Sequence, residues 1–300
     1  MLFKLKFSPS FALAALLGIT AIWGSTFLVV QDAVNRMPVM DFLAFRFSLA
    51  AAVMISLRPK SLCRISRDML LKGITLGLAL GAGYIFQTFG LLYTSASTSG
   101  FITGMLVVLT PVLAWVLLRR KTSPVIWFAV ALAVAGLALI SLREWGLGIG
   151  ELLTLACALS FALHVVGLGE WSSRYDIYSF TVIQLGTVAL ASFFASLEGG
   201  LTFPPDGGVW SAVIVTAVLA TSLAFLVQTW AQSLVSPARA AVVLTMEPVF
   251  AGFFGIVIGG DELTLRIGIG AACIIAAMLL AELKPGINKT TNGALTVPPG

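Results

Sequence analysis

The chain has 300 residues, 59% of them hydrophobic and only 10% charged, with a mean hydropathy of +1.02. Soluble domains carry about a quarter charged residues, so this composition excludes an ordinary water-soluble protein and leaves no polar stretch for a second, soluble domain. The formal net charge of +5 sits in short basic clusters between apolar runs, which points to membrane topology and not to nucleic acid.

Residues 1–10 read as a cytoplasmic tail carrying Lys4 and Lys6. The apolar run after them looks like a signal peptide at first, but its length and its Trp23-Gly24-Ser25-Thr26 segment predict a retained span. About 20 apolar residues are needed to cross a bilayer core of ~30 Å. That ruler predicts spans at 11–31, 39–57, 70–92, 96–118 and 124–141, then at 149–168, 178–197, 209–231, 237–259 and 264–281. Residues 282–300, with Pro285, Gly286, Pro298 and Pro299, are expected to form a disordered tail.

The basic residues test the count. With both termini cytoplasmic, 14 lie on the inside, Arg36, Arg143 and Arg266 lie outside, and Arg46 falls within span two. A missed span in the middle would scatter that bias, because every later loop would change sides.

Two segments repeat each other. Phe86-Gln87-Thr88-Phe89-Gly90 is echoed by Val227-Gln228-Thr229-Trp230-Ala231, with Gln87 and Gln228 141 residues apart, and the same offset carries Trp23 onto His164. Repeats with an odd number of spans must insert upside down relative to each other. The expected fold is therefore an all-α polytopic membrane protein of ten transmembrane helices. It is built as two inverted five-helix repeats, 11–141 and 149–281, with both termini cytoplasmic.

Enzymatic chemistry finds no support. There is no GxxxxGK phosphate loop, the lone His164 and the scattered carboxylates make neither a metal cluster nor a nucleophile set, and no pair of aspartates faces another within spans. Cys63, Cys157 and Cys273 are far apart and read as inert. The sequence thus predicts no catalytic residue, no metal and no cofactor. Its expected partners are a small-molecule substrate and the lipid bilayer; no oligomeric state can be read from it.

Trp23-Gly24-Ser25-Thr26-Phe27 resembles the opening signature of the drug/metabolite transporter superfamily, in its EamA-type, ten-helix branch. Thr94-Ser95-Ala96-Ser97 through Phe101-Ile102-Thr103-Gly104 to Leu109-Thr110-Pro111 is similar to that branch's fourth span. Ser236-Pro237-Ala238-Arg239 through Glu247-Pro248 to Gly260-Asp261-Glu262 is similar to its ninth. Within the branch, the resemblance is closest to the YddG-type aromatic amino-acid exporters of bacterial inner membranes. The resemblance implies a multi-pass inner-membrane transporter.

Polar residues mark the expected pathway, since a polar side chain in lipid must face the bundle interior or water. Thr221, Phe225, Gln228 and Gln232 share one face of span eight; Gly77, Gly81, Tyr84 and Gln87 make a similar stripe on span three. Phe161 and His164 share a side of span six. Substrate lining is expected from Trp23, Tyr84, Gln87, Phe101, Phe161, His164, Phe225 and Gln228. Rings with a few amides suit an amphipathic ligand such as an aromatic or large apolar amino acid, exported by alternating access; small apolar or cationic drugs are the alternative. Glu247 reads as a structural part bonding backbone loosened at Pro248, or as a proton-coupling site. Pro111 and Pro248 should kink spans four and nine. Arg46 is expected to snorkel to an interface or pair with a carboxylate.

Overall fold

A computed structural model describes residues 8–94, 96–119, 123–141, 148–257 and 264–283. They form thirteen α-helices: α1 (Pro9–Val34), α2 (Val39–Leu57), α3 (Arg67–Gly90), α4 (Ala96–Gly104), α5 (Leu106–Leu118), α6 (Pro124–Ser141), α7 (Ile149–Trp171), α8 (Ile177–Ser196), α9 (Gly207–Ala217), α10 (Ala224–Gln232), α11 (Pro237–Leu244), α12 (Met246–Val257) and α13 (Leu265–Leu283). A π-helical segment, Val218–Leu223, joins α9 to α10. The expected tail beyond Leu283, Arg143, Ser95 and Gly260-Asp261-Glu262 lie outside the described residues.

Helix starts follow local chemistry. The Ser8 hydroxyl accepts the Phe11 amide at 3.2 Å, Ser66 does the same for Met69, and Asp176 for Ser179. Each satisfies a donor that the first turn leaves without an intrahelical partner. Pro9, Pro124 and Pro237 each occupy the first helical position, where a missing N–H does no harm.

Seven helical runs among the described residues are long and apolar enough to cross a membrane: Pro9–Val34, Val39–Leu57, Arg67–Gly90, Ile149–Arg174, Ile177–Gly199, Gly207–Gln232 and Pro237–Phe254. Ile102–Leu118, Pro124–Gly136 and Gly268–Ala277 are apolar but shorter. The outward faces are apolar too, with Leu78, Trp115, Phe128 and Phe194 exposed, as a lipid-facing surface requires.

Two expected spans are broken. The interruption in the first lies at Met105, between α4 and α5, six residues before Pro111, which sits inside α5. The second lies at Thr245, three residues before Pro248. There the ring removes the bond to Leu244, the last residue of α11.

Packing partners exchange between the halves. Helix α2 lies on α8, and α6 lies on α13. Helix α3 packs on α7 as α10 packs on α1, and α4 and α5 meet α7 as α11 and α12 meet α1. Small residues permit these approaches, which in lipid rest on close van der Waals contact. A Cβ on Gly83 would lie 2.2 Å from the Phe161 ring, and one on Gly24 would lie 2.8 Å from backbone atoms of Glu247 and Ala251.

Helix ends sort into two layers. At one, Arg36 beyond α1 bonds Asp206 before α9 at 2.7 Å, Asp41 accepts the Thr202 amide, and Thr94 bonds Glu151 at 2.6 Å. At the other, Arg58 beyond α2 faces Asp176 at 3.7 Å, Phe11 meets Trp230, and Tyr175 bonds Asp68. The C-terminal end of α1 and the N-terminal end of α7 share the first layer, so the opening helices of the two halves run in opposite directions.

Candidate functional site

A cavity of about 60 Å3 lies between the halves, walled by α1, α2, α3, α7 and α10, with Leu106, Leu244 and Glu247 from the two broken segments. At ~10–15 Å3 for each water, that volume seats several waters and must widen to hold an organic molecule.

Trp23, Tyr84, Gln87, Phe161, His164, Phe225, Gln228 and Glu247 all border this cavity. Phe101 lies on α4, and its side chain falls outside the described residues. The rings interlock edge-on. Tyr84 and Phe161 are 5.3 Å apart between centroids, Tyr84 and Phe225 5.9 Å, and His164 and Phe225 6.0 Å; Trp23 tilts onto Phe225 at 5.4 Å. Such arrangements suit the ring quadrupoles and hold each ring in one orientation.

Trp23 is fixed from the opposite half. Its indole N–H donates to the Ala220 carbonyl at 2.7 Å, within the π-helical segment. A π-turn shifts the backbone register, and such segments recur at functional sites.

The polar groups are unevenly paired. His164 and Gln184 share a 2.8 Å bond, and the Gln184 amide donates in turn to the Phe180 carbonyl. Gln228 donates to Gln232 at 3.0 Å, and Gln232 donates to the Val165 carbonyl at 2.9 Å, strapping α10 to α7. The Gln228 amide oxygen is buried and has no partner among the described residues. Gln87 makes a long bond to Thr103, 3.3 Å. Glu247 lines the cavity, and among the described residues no hydrogen bond or ion pair of its side chain is seen.

Arg46 corrects the sequence reading. It neither snorkels nor meets a carboxylate, being 3% exposed. Its Nε donates to Thr221 at 2.8 Å, its Nη2 donates to the Tyr84 hydroxyl at 3.3 Å, and its guanidinium lies 4.7 Å from the Tyr84 ring centroid. Its position in mid-span was the available signal, since an ionisable residue inside a membrane marks a pathway by default. The glycine half of the span-three stripe is also redirected: Gly77 faces Thr187 and Gln184 on α8, and Gly81 faces Val188. Only Tyr84 and Gln87 of that stripe reach the cavity.

The cavity is lopsided. It runs along α1 to Val30 and along α3 to Leu91, towards the layer that holds Arg36 and Asp206. In the opposite direction its lining includes Val165 and Gln228, and the Gln232 amide bonds the Val165 carbonyl there.

A family model described as the EamA-like transporter family matches this chain twice, over residues 10–142 and 148–283. The chain belongs to the EamA-like transporter family. The two matches meet at the boundary across which the packing partners exchange, so the two EamA repeats coincide with the structural halves. An uncharacterized transporter of Archaeoglobus fulgidus is 30% identical over 266 residues, 89% of this chain and 84% of that one. The uncharacterized transporter YcxC of Bacillus subtilis is 27% identical, over 86% of this chain and 88% of its own. A solved crystal structure at 21% identity shares the fold, with a TM-score of 0.75 over 90% of this chain and 96% of that one. This EamA-like protein is thus a multi-pass membrane transporter.

Charges at the two layers are set by the same local chemistry. The Asp206 carboxyl is held below the ordinary aspartate range, first by the Val209 amide and also by that of Gly208 and by Arg36. The Tyr175 hydroxyl is pushed up, chiefly by its bond to Asp68.

Proposed function

We propose that this EamA-like protein is a secondary or facilitative transporter. It exports small amphipathic metabolites, most readily amino acids with aromatic or large apolar side chains, across the inner membrane. In this reading the chain crosses the bilayer ten times as two inverted repeats, the broken segments α4–α5 and α11–α12 each counting as one crossing. The layer with Arg58 and Asp176 faces the cytoplasm, in keeping with the basic residues gathered there. The lipid bilayer and a small-molecule substrate are its partners.

The observation that carries the reading is the cavity between the repeats, where interlocked rings surround a few amides, one of them with an oxygen unpartnered among the described residues. Secondary transporters place their sites at the seam between repeats, near the bilayer midplane. Rings with sparse polar groups match a ligand that has an apolar body and a small polar head. The lopsided reach of the cavity supports alternating access: the pathway is closed towards the cytoplasm by the Gln232 strap and extends outward along α1 and α3. Opening the strap and closing α1 against α3 would present the same rings to the cytoplasm.

The test is transport in reconstituted liposomes with a panel of labelled amino acids. Alanine variants at Trp23, Gln87, His164 and Gln228 should each lower flux while inserting normally. Four variants moving substrate at the parental rate would remove the proposed lining.

A second reading, export of cationic drugs, is favoured by the Glu247 carboxyl group on the cavity wall. Glu247→Gln should then abolish transport of an organic cation and flatten the pH dependence of flux. An unchanged pH dependence would remove Glu247 from any coupling role.

A further inference from the structure

The geometry points to Arg46 as the anchor for a substrate carboxylate and to Glu247, which lines the same cavity, as the acceptor for a substrate ammonium, so that the cavity recognises a zwitterionic α-amino acid by both charges. The inference rests on the transport reading above and names the residues that would select the substrate's head group.

Both groups border the same cavity and neither is ion-paired with a described residue. A guanidinium taken out of water without a counter-ion is strongly unfavourable. Around Arg46 the described residues supply only two hydroxyls, from Thr221 and Tyr84, and the faces of Tyr84 and Phe47 at 4.7 and 5.5 Å. Those contacts use two of its five N–H donors and fix the plane of the guanidinium. The remaining donors meet no acceptor among the described residues. A planar fork held on one side and open on the other is suited to a bidentate carboxylate.

Glu247 supplies a carboxyl group from α12, on the other half of the chain, and a bound ammonium would hold that group in its charged form. A carboxylate can accept more than one N–H of an ammonium. The buried oxygen of Gln228, without a partner among the described residues, offers a further acceptor in the same cavity. An amino acid seated between these groups would lay its side chain against Trp23, Phe161 and Phe225, the rings already locked edge-on. Two opposite charges on separate helices would also be joined by the ligand, giving it a means to draw the halves together.

The experiment uses the full-length protein in lipid nanodiscs and isothermal titration with three probes of one shape: L-phenylalanine, phenethylamine, which lacks the carboxylate, and 3-phenylpropionate, which lacks the ammonium. The parental protein should bind L-phenylalanine at least about tenfold more tightly than either analogue, since each loses a charge-assisted contact. Arg46→Gln should erase the preference over phenethylamine and keep that over 3-phenylpropionate; Glu247→Gln should do the reverse. Arg46→Lys should retain part of the carboxylate preference. Equal binding of L-phenylalanine and phenethylamine by the parental protein overturns the inference without any variant, so a variant that fails to fold does not protect it. Full discrimination persisting in a folded Arg46→Gln overturns it as well. If L-phenylalanine, L-tryptophan and L-leucine all fail to bind the parental protein and fail to move in liposomes, the transport reading and the inference fall together. Transport of these amino acids without head-group discrimination removes the inference alone.

Discussion

Tyr84 on α3 and Phe225 on α10 occupy corresponding places in the two halves, 141 residues apart, and touch each other edge-on with centroids 5.9 Å apart. Corresponding positions meet in this way only near the axis that relates the halves, so the contact marks the seam. The phenol of Tyr84 also receives Arg46, and Phe225 has no hydroxyl to offer an equivalent partner. Arg46 is the eighth residue of α2, and Gln184 is the eighth of α8. One half therefore places a guanidinium where the other places an amide bonded to His164. Repeats built alike thus enclose a cavity with two chemically different walls, which a substrate with two different ends can use.

Tyr84 separates ring contact from hydroxyl chemistry. Tyr84→Phe should preserve the stacking with Phe161 and Phe225 and lower transport modestly, because Arg46 keeps its bond to Thr221. Tyr84→Ala should lower transport further and destabilise the protein by about 3–5 kcal/mol, as a large buried aromatic leaves a void. Liposome flux together with thermal melting of the purified protein distinguishes the two. Equal loss of flux in both variants would assign the role to the hydroxyl alone.

Gly24 should tolerate no side chain. A Cβ there would stand 2.8 Å from the Ala251 nitrogen and from the Glu247 carbonyl, both backbone atoms that cannot rotate aside. Gly24→Ala is expected to push α1 from α12 and cost about 1–3 kcal/mol of stability, the usual range for overpacking. The melting temperature of the variant in detergent is the measurement, and Gly18→Ala, with nothing within 4 Å of the added atom, is the control.

Much of the fold could be read along the chain because helix starts and apolar lengths are local properties. Ser8, Ser66, Asp176 and Pro237 announce their helices by chemistry that needs only the next three residues. The offset that links Gln87 with Gln228 also brings Trp23 and His164 to one cavity, because a repeat carries position as well as type. What stayed hidden depends on distant partners. Val218–Leu223 has an unremarkable composition, and its π geometry becomes apparent only when Trp23, nearly two hundred residues earlier, bonds Ala220. The Met105 break lies two residues before Val107, whose carbonyl Pro111 leaves without its helical bond, so the proline places it only to within a turn. The expectation that Arg46 snorkels or pairs with a carboxylate misses its two hydroxyl partners, which come from α3 and from the other half. Gln184 carried no motif, and its role follows from His164 lying opposite.

His164 depends on that partner. Gln184→Leu would leave its buried ring nitrogen without an acceptor, a loss of about 1–3 kcal/mol for a group shut away from water. Lower melting temperature is the expected result. The double variant His164→Phe with Gln184→Leu should recover part of it, since removing both polar partners is less harmful than stranding one. A double variant as unstable as the sum of the single ones would mean that the pair is not coupled.

The layer with Arg36 should weaken in acid. Asp206 has a carboxyl held below its ordinary value of 3.8, mainly by the Val209 amide. A depressed carboxylate contributes stability that is complete above the unfolded value and is lost as pH falls through the folded one. Melting temperatures of the parent and of Asp206→Asn should therefore differ by a constant amount from pH 7 down to about pH 5 and converge below 3.8. Asparagine still caps α9, so the difference reports the charge, including its pairing with Arg36. A gap that persists undiminished at the lowest pH would show that the charge is not its source.

Cysteine labelling can place the two layers on their sides of the membrane. Cys63 is exposed in the turn after α2, in the layer with Arg58 that the proposed topology puts in the cytoplasm; Cys157 is buried. An impermeant thiol reagent should modify the parental protein in inside-out vesicles and leave it unmodified in right-side-out ones, with Cys63→Ser as the control. Glu198, exposed after α8, belongs to the opposite layer with Arg36 and Asp206. Glu198→Cys placed in the Cys63→Ser background should therefore label only from the outside. The two sites are separated by an odd number of crossings in the ten-span arrangement, so labelling of both from one side would break the inverted relation between the repeats. Labelling of each from the side opposite to that expected would keep the repeats inverted and turn the whole molecule over, putting the cavity's reach along α1 and α3 towards the cytoplasm.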